Sequence, residues 1–312
     1  MRSFLLSIFT LLSAYVFLQS FAIETCVVSK YELGKKLFED PILSEDKSIS
    51  CSSCHLAAFA FSDTLRFSVG VHGKLTSRNT PSITNMASRN SFFWDGRVET
   101  LAEQALFPIA NPMEMNLPIS EAVARLSSDP FYSASFQALY NTIPNAQNLG
   151  ETLAAFVETL ETNAPFDAWI NGNEDAISAR AIRGRDLFMF KAKCFDCHFG
   201  PDFTGDEFKS IGLYNGLEHN DRGRFEISKD SLHLGAFKVP GLRNVAITGP
   251  YMHDGSMRSL AEVIEYYDDS NKRLPNGINR DTILKDPLGL TAQEKLDLEA
   301  FLVSLTDGRF VR

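Results

Sequence analysis

Cys51-Ser52-Ser53-Cys54-His55 and Cys194-Phe195-Asp196-Cys197-His198 repeat one pattern: two cysteines three positions apart, with a histidine directly after the second. Thiols at that spacing sit on one turn and can each add to a vinyl group of a single haem, while the neighbouring imidazole reaches its iron. A Cys-x-x-Cys pair alone is shared by zinc knuckles, redox disulfides and haem attachment. The histidine in both copies selects the last, because neither of the others requires it. The chain is therefore expected to carry two covalently bound c-type haems, with His55 and His198 as their proximal iron ligands.

The motifs sit in two halves that run through the same signals in the same order. Gly34-Lys35-Lys36-Leu37-Phe38 precedes the first and Gly184-Arg185-Asp186-Leu187-Phe188 the second, each reading as a helix packed on the haem-bearing turn. Arg78-Asn79-Thr80-Pro81-Ser82-Ile83-Thr84-Asn85 returns as Phe237-Lys238-Val239-Pro240-Gly241-Leu242-Arg243-Asn244. Trp94-Asp95-Gly96-Arg97 returns as His253-Asp254-Gly255-Ser256, and both lead at equal spacing into Leu101-Ala102-Glu103 and Leu260-Ala261-Glu262. Self-similarity of this kind marks an internal duplication. Apolar periodicity predicts a mainly α chain, with helices over 28–38, 100–106, 119–126, 148–161, 176–190, 259–267 and 291–305 joined by long Pro/Asn/Gly-rich loops. Ser120, Ser259 with Glu262, and Thr291 with Glu294 carry helix-start signals. The polar stretch 171–175 is the expected boundary between an amino-terminal domain, 23–173, and a carboxy-terminal domain, 174–312.

With 312 residues, 44% hydrophobic and 22% charged, the chain can bury two cores. Its formal charge of -9, made more negative by haem propionates, argues against nucleic acid and for a basic face on a redox partner. Residues 4–23 form an uncharged apolar run after Arg2, and Ser20-Phe21-Ala22 supplies small residues for cleavage. A signal peptide over 1–22 and export to the periplasm are expected. The same run is long enough to span a bilayer, so an uncleaved anchor is the alternative. Export suits cysteines handled in an oxidising compartment. Cys26 is left without assigned chemistry.

The repeat also distinguishes the two irons. Aligning the halves on Trp94 and His253 sets Pro108 opposite Tyr267. If the duplicated helices approach the distal faces of their haems alike, one iron is offered a phenolic oxygen and the other a side chain that cannot ligate. An open iron can bind peroxide, whereas a doubly ligated one mainly passes or stores electrons. Tyr266, Met252 and Met257 are the competing ligand candidates for the second iron.

In Phe93-Trp94-Asp95-Gly96-Arg97, Asn111-Pro112-Met113-Glu114-Met115 and the run from Leu242-Arg243-Asn244 to Tyr251-Met252-His253, the sequence resembles the bacterial di-haem cytochrome c peroxidases, most closely their MauG-type branch. The resemblance covers nearly the whole chain beyond the leader. It implies two cytochrome-c-like domains facing each other, a peroxidatic haem in the first and an electron-transfer haem in the second. In the MauG-type branch the distal ligand at the Tyr267 position is tyrosine, with proline at the Pro108 position; in the peroxidase branch that ligand is methionine. By the same resemblance Glu114 moves a proton between the peroxide oxygens, Gln104 hydrogen-bonds the bound oxygen ligand, and Trp94 relays electrons between the haems. Asn79, Thr248 and Pro250 match positions that hold a calcium ion at the domain interface. His72 stands near a loop histidine that gates the first haem in some members, in a shifted register to Asn79, and an exposed loop residue is the equal alternative. His253 occupies the Trp94 slot with an indirect role, and His219 and His233 read as loop histidines near the second haem.

The leading expectation is a periplasmic peroxidase that reduces hydrogen peroxide with electrons from a small redox protein such as a cytochrome c or a cupredoxin. A MauG-like enzyme that turns peroxide equivalents on residues of a partner protein is the alternative. A non-catalytic di-haem electron carrier is the third reading, and a homodimer is compatible with all three.

Overall fold

Two helix pairs, one in each half, organise the chain. The computed structural model describes residues 29–311, so the leader over 1–22 and Cys26 lie outside the described residues. In chain order the helices are α1 (Lys30–Glu39), α2 (Leu101–Gln104), α3 (Phe107–Ala110), α4 (Ile119–Ser128), α5 (Pro130–Tyr140) and α6 (Ala146–Val157). They continue with α7 (Pro165–Ile170), α8 (Ala179–Met189), α9 (Phe225–Ser228), α10 (Leu260–Asp268), α11 (Ser270–Arg273) and α12 (Ala292–Val303). Strands β1 (Phe208–Lys209) and β2 (Phe237–Lys238) form one short antiparallel ladder.

Helix ends follow local chemistry. Thr291 closes a capping box with Glu294 at the start of α12, each side chain accepting from the other's backbone N–H. Ser259 accepts from Glu262 N at the start of α10, while the Glu262 carboxylate turns to Arg258 N. Ser120 is not a cap: Pro118 holds the cap position and α4 already begins at Ile119. The single helix expected over 100–106 gives way to α2 and then α3, whose first turn contains Pro108. Proline lacks the N–H that would extend the α2 ladder but suits the start of a new helix. Helix α5 was not anticipated, although Asp129-Pro130 announces it: the Asp129 carboxylate accepts from Phe131 N and Tyr132 N.

The first core gathers Leu33, Leu37, Phe136, Leu149 and Leu153 from α1, α5 and α6. The second gathers Phe188, Leu298, Phe301, Leu302 and Leu305 around α8 and α12, and Phe166 of α7 packs against it. In each half the two long helices cross at a glycine. A Cβ on Gly34 would collide with Thr152 O, and one on Gly184 with Asp297 O. Duplication reaches the backbone as well. Asn85 and Asn244 share a left-handed φ of 57° and 63°, and their N–H groups donate to Leu160 O and Leu305 O at 3.0 and 2.9 Å.

The halves meet across a pseudo-two-fold. Asn79 N donates to His253 O at 2.7 Å, and Lys238 N donates to Trp94 O at 2.8 Å. These are repeat-equivalent bonds exchanged between the halves. Arg78 adds a fork to Asp221 of the second half, at 2.7 and 2.9 Å, while its other arm holds Asp95 at 2.6 Å.

The glycine crossings make a direct test. Gly184→Ala forces two helix backbones apart and should cost about 1–3 kcal/mol in chemical denaturation. Gly308, with open space around it, should tolerate alanine within about 0.5 kcal/mol. Equal midpoints for both variants would show that the crossing does not need a glycine.

Candidate functional site

Each attachment motif folds as the same 3-10 turn. Cys54 N donates to Cys51 O at 3.2 Å and His55 N to the same oxygen at 2.9 Å; Cys197 N and His198 N repeat both distances on Cys194 O. His55 Nδ1 lies 2.9 Å from Phe61 O, and His198 Nδ1 lies 2.9 Å from Phe203 O. A carbonyl only accepts, so Nδ1 carries the proton and Nε2 keeps its lone pair for a metal. Burial lowers the pKa of both imidazoles, which favours this neutral form. Phe61 and Phe203 both have φ of 56°. A bulky residue seldom adopts that conformation, and here it aims the carbonyl at the ring.

None of the four motif cysteines is paired in a disulfide, which leaves each Sγ available for a thioether bond. His55, Cys194, Cys197 and His198 line one cavity of about 930 Å³ that runs between the halves. Small-molecule sites span roughly 300–1,000 Å³, so this cavity stands at the large end. Apolar Leu101, Leu260 and Ile264 share its wall with cationic Arg89, Arg97 and Lys238. Apolar walls suit a porphyrin face and the cations suit its propionates, so the residues fit two attached haems. Among the described residues no three His, Cys, Asp or Glu side chains converge to hold a bare metal ion.

On the first-half side, Gln104, Pro108, Asn111 and Glu114 all line the cavity. Asn111 Nδ2 donates to Glu114 Oε1 at 2.6 Å. Burial raises the Glu114 pKa, against the opposing pull of the Asn111 hydrogen bond and the Arg97 charge. Val71 N donates to Glu114 O at 2.8 Å. Gly70 permits that approach, since a Cβ there would meet Met113 O. The His72 side chain points the other way: it is 54% exposed, its Nε2 lies 2.9 Å from Glu45 Oε2, and it does not line the cavity. Sequence reasoning passed over Asn111, although it sits three residues before Glu114, the spacing of a turn.

On the second-half side, adjacent tyrosines take separate parts. Tyr266 is buried and its hydroxyl donates to Ile211 O at 2.7 Å. Tyr267 lines the same cavity as Cys194 and Cys197, and burial pushes its phenol up. Met252 lines the cavity and Met257 does not. Trp94 lies in the cavity wall, its Nε1 donating to Asn79 O at 2.8 Å. Asn79, Thr248 and Pro250 line the same cavity. His253 is buried and stacked on Phe237 at 3.7 Å, and burial pushes its pKa down to about 4. His219 sits 3.3 Å from Asp254, and His233 lies at the surface, 2.9 Å from Ser228 Oγ.

Two complete attachment turns predict that denatured protein weighs two haems more than its polypeptide, and that a Cys194→Ser/Cys197→Ser double variant retains one. Mass spectrometry reads this directly, and a wild-type mass with one haem or none would refute it. A family profile described as di-haem cytochrome c peroxidase matches residues 28–175. The methylamine utilization protein MauG of Methylorubrum extorquens is 39% identical over 281 residues, covering 88% of this chain and 78% of that protein. A crystal structure of a MauG-like protein associated with microbial copper homeostasis superposes with a TM-score of 0.79 at 33% identity over 91% of both chains. That of the diheme peroxidase BthA from Burkholderia thailandensis gives 0.80 at 25% identity, over 90% of this chain and 87% of the other. With two attachment turns facing one cavity and relatives of this likeness along its length, the chain belongs to the di-haem cytochrome c peroxidase family and is a haem-dependent oxidoreductase with two c-type haems.

Proposed function

We propose that this protein reduces hydrogen peroxide to water at its amino-terminal haem site, in the periplasm, with electrons that a small redox protein such as a cytochrome c or a cupredoxin delivers to the second site. The observation that carries the reading is an asymmetry inside a duplication: Pro108 and Tyr267 hold equivalent repeat positions and line the same cavity. Proline has no atom to give a metal, whereas tyrosine has a phenolic oxygen, so the first site stays open to peroxide and the second is capped. Cys51, Cys54 and His55 hold the first group; Cys194, Cys197, His198 and Tyr267 hold the second. Bound there, the haems supply reversible iron redox chemistry and a binding position for peroxide.

The side chains manage protons and position. Glu114 as carboxylate takes the proton from the peroxide oxygen nearer the first site and returns it to the outer oxygen, which leaves as water. Asn111 Nδ2 on Glu114 Oε1 fixes the carboxyl, and Gln104 offers its amide to the bound oxygen. One peroxide takes up two electrons and two protons and yields two waters. Trp94, lining the cavity between the halves, is the relay by which those electrons cross. His72, turned to Glu45, leaves the first site ungated in this conformation. A calcium ion is proposed at Asn79, Thr248 and Pro250, whose oxygens are donors of the kind a hard cation takes.

Tyr267 also favours the MauG-like reading, oxidation of residues in a partner protein, because an anionic oxygen ligand stabilises oxidised iron better than a thioether does. Rapid peroxide-dependent oxidation of reduced cytochrome c supports the peroxidase; weak turnover with oxidation of a co-purified protein supports the other. In either, Glu114→Gln should slow peroxide cleavage about 10²- to 10⁴-fold in stopped-flow measurements, with haem content unchanged. The working form is the carboxylate and its pKa is raised, so wild-type cleavage should be full above that raised value and fall as pH drops through it. The glutamine variant should lose this acid limb; unaltered kinetics would remove Glu114 from the role. Tyr267→Met should shift the spectrum and potential of the second haem, and an identical spectrum would place the ligand elsewhere, with Met252 first in line.

A further inference from the structure

The chain has two tryptophans. Trp94 lies in the cavity wall, while Trp169, on α7, is used by nothing described above. Trp169 is partly exposed and adjoins Ile170, which is 58% exposed. Its ring stacks on Phe166 with centroids 5.8 Å apart, and Phe166 packs 5.6 Å from Phe203. The carbonyl of Phe203 takes the hydrogen bond from His198 Nδ1 at 2.9 Å. Two ring contacts and one hydrogen bond therefore join an indole at the surface to the proximal ligand of the second site.

Indole and phenol are the side chains that give up an electron most readily, and transfer slows steeply with distance, so an indole on this line divides a long jump into shorter ones. Packing alone does not call for tryptophan here. Its Nε1 has no hydrogen-bond partner among the described residues, and any aromatic ring could stack on Phe166. Arg185, 5.9 Å from the indole, is paired with Asp186 at 2.9 Å, which leaves little net charge to oppose oxidation.

We propose that Trp169 is the surface port through which one-electron reductants too large for the cavity supply the second haem site. This rests on the peroxidase reading and names its point of electron entry. For each peroxide reduced to two waters, two electrons pass one at a time from the Trp169 indole toward His198. Each leaves the indole one electron short until a reductant docked over α7 restores it and departs oxidised by one electron. No bond of Trp169 forms or breaks in that cycle. Without reductant, loss of two electrons and addition of water gives a hydroxylated indole and two protons, with peroxide as the oxidant.

Trp169→Phe and Trp169→Tyr, compared with wild type as holoproteins, separate relay from packing, because phenylalanine fills the space but resists oxidation. With a reduced small c-type cytochrome, steady-state peroxide turnover should fall at least several-fold in the Phe variant and largely recover in the Tyr variant. Haem content and single-turnover peroxide cleavage serve as folding controls. Wild-type protein treated with peroxide alone should gain oxygen at Trp169 in peptide mass mapping. Equal cytochrome turnover in all three proteins, or equal loss in both variants, overturns the port and leaves the peroxidase reading intact. A wild-type protein that cleaves no peroxide overturns both.

Discussion

The hydrogen bond from the imidazole of each Cys-x-x-Cys-His turn to a backbone carbonyl is the constraint from which the rest of the site follows. Without Phe61 O and Phe203 O at 2.9 Å, either ring nitrogen of His55 or His198 could carry the proton, and the lone pair would have no fixed direction. Such a bond is worth only about 0.5–1.5 kcal/mol net, whereas the left-handed backbone that aims the carbonyl costs of order 1–3 kcal/mol. The same two residues offset part of the difference by packing their rings on the core, Phe203 buried and Phe61 partly so. Phe61 meets Phe38 and Phe156, and Phe203 meets Phe166, Phe188 and Phe301. Full burial of such a ring contributes about 1.5–3 kcal/mol, and Phe203 is buried to that degree. The aromatic core of each half is thus also the device that orients the imidazole proposed to hold its iron.

The interface extends this electrostatically. Asp221 in the second half holds Arg78, Arg78 holds Asp95, Asp95 holds Arg97, and the charge of Arg97 bears on Glu114. In a largely buried setting each link is weakly screened. Truncating one member leaves a partner charge buried and unpaired, which costs more than the pair itself contributes. The ladder thus ties Arg97, whose charge bears on Glu114, to a residue of the opposite half. A chain cut between its halves would lose that tie together with half of the cavity wall.

Much of this was legible in the sequence because it is local or repeated. The attachment turns, the helix pairs and the capping box at Thr291 depend on neighbours within a few positions. The break at Pro108 and the Asp129-Pro130 start of α5 carry equally local cues, which broad periodicity averages away. Tyr266 and Tyr267 lie about 100° apart on one helix, so pattern alone could not say which faces the cavity; the carbonyl of Ile211 decides it. Other features were closed to such reading. The Phe61 and Phe203 carbonyls depend on a backbone conformation that phenylalanine rarely adopts, and Arg78 finds Asp221 only once the halves dock. The direction of His72 depends on Glu45 and on the packing of Gly70 against Met113.

Where the duplicated halves agree and where they part follows a physical division. They agree at Gly34 and Gly184, Asn85 and Asn244, and the left-handed phenylalanines, all positions where backbone approaches backbone and a changed side chain would break the packing. They part at Pro108 and Tyr267, Trp94 and His253, and Asn79 and Lys238, whose side chains line the cavity. A wall beside open space accepts a change of functional group and of size, whereas a glycine crossing has no room for an added Cβ. Duplication thus supplied two identical mounts, and the residues facing the space between them were free to become unlike. Two equivalent irons could only pass electrons or compete for the same oxidant. In the proposed reading, an open and a capped iron across one interface divide binding from storage, and that division needs only a phenolic side chain in one half where the other has a proline ring with no ligand atom.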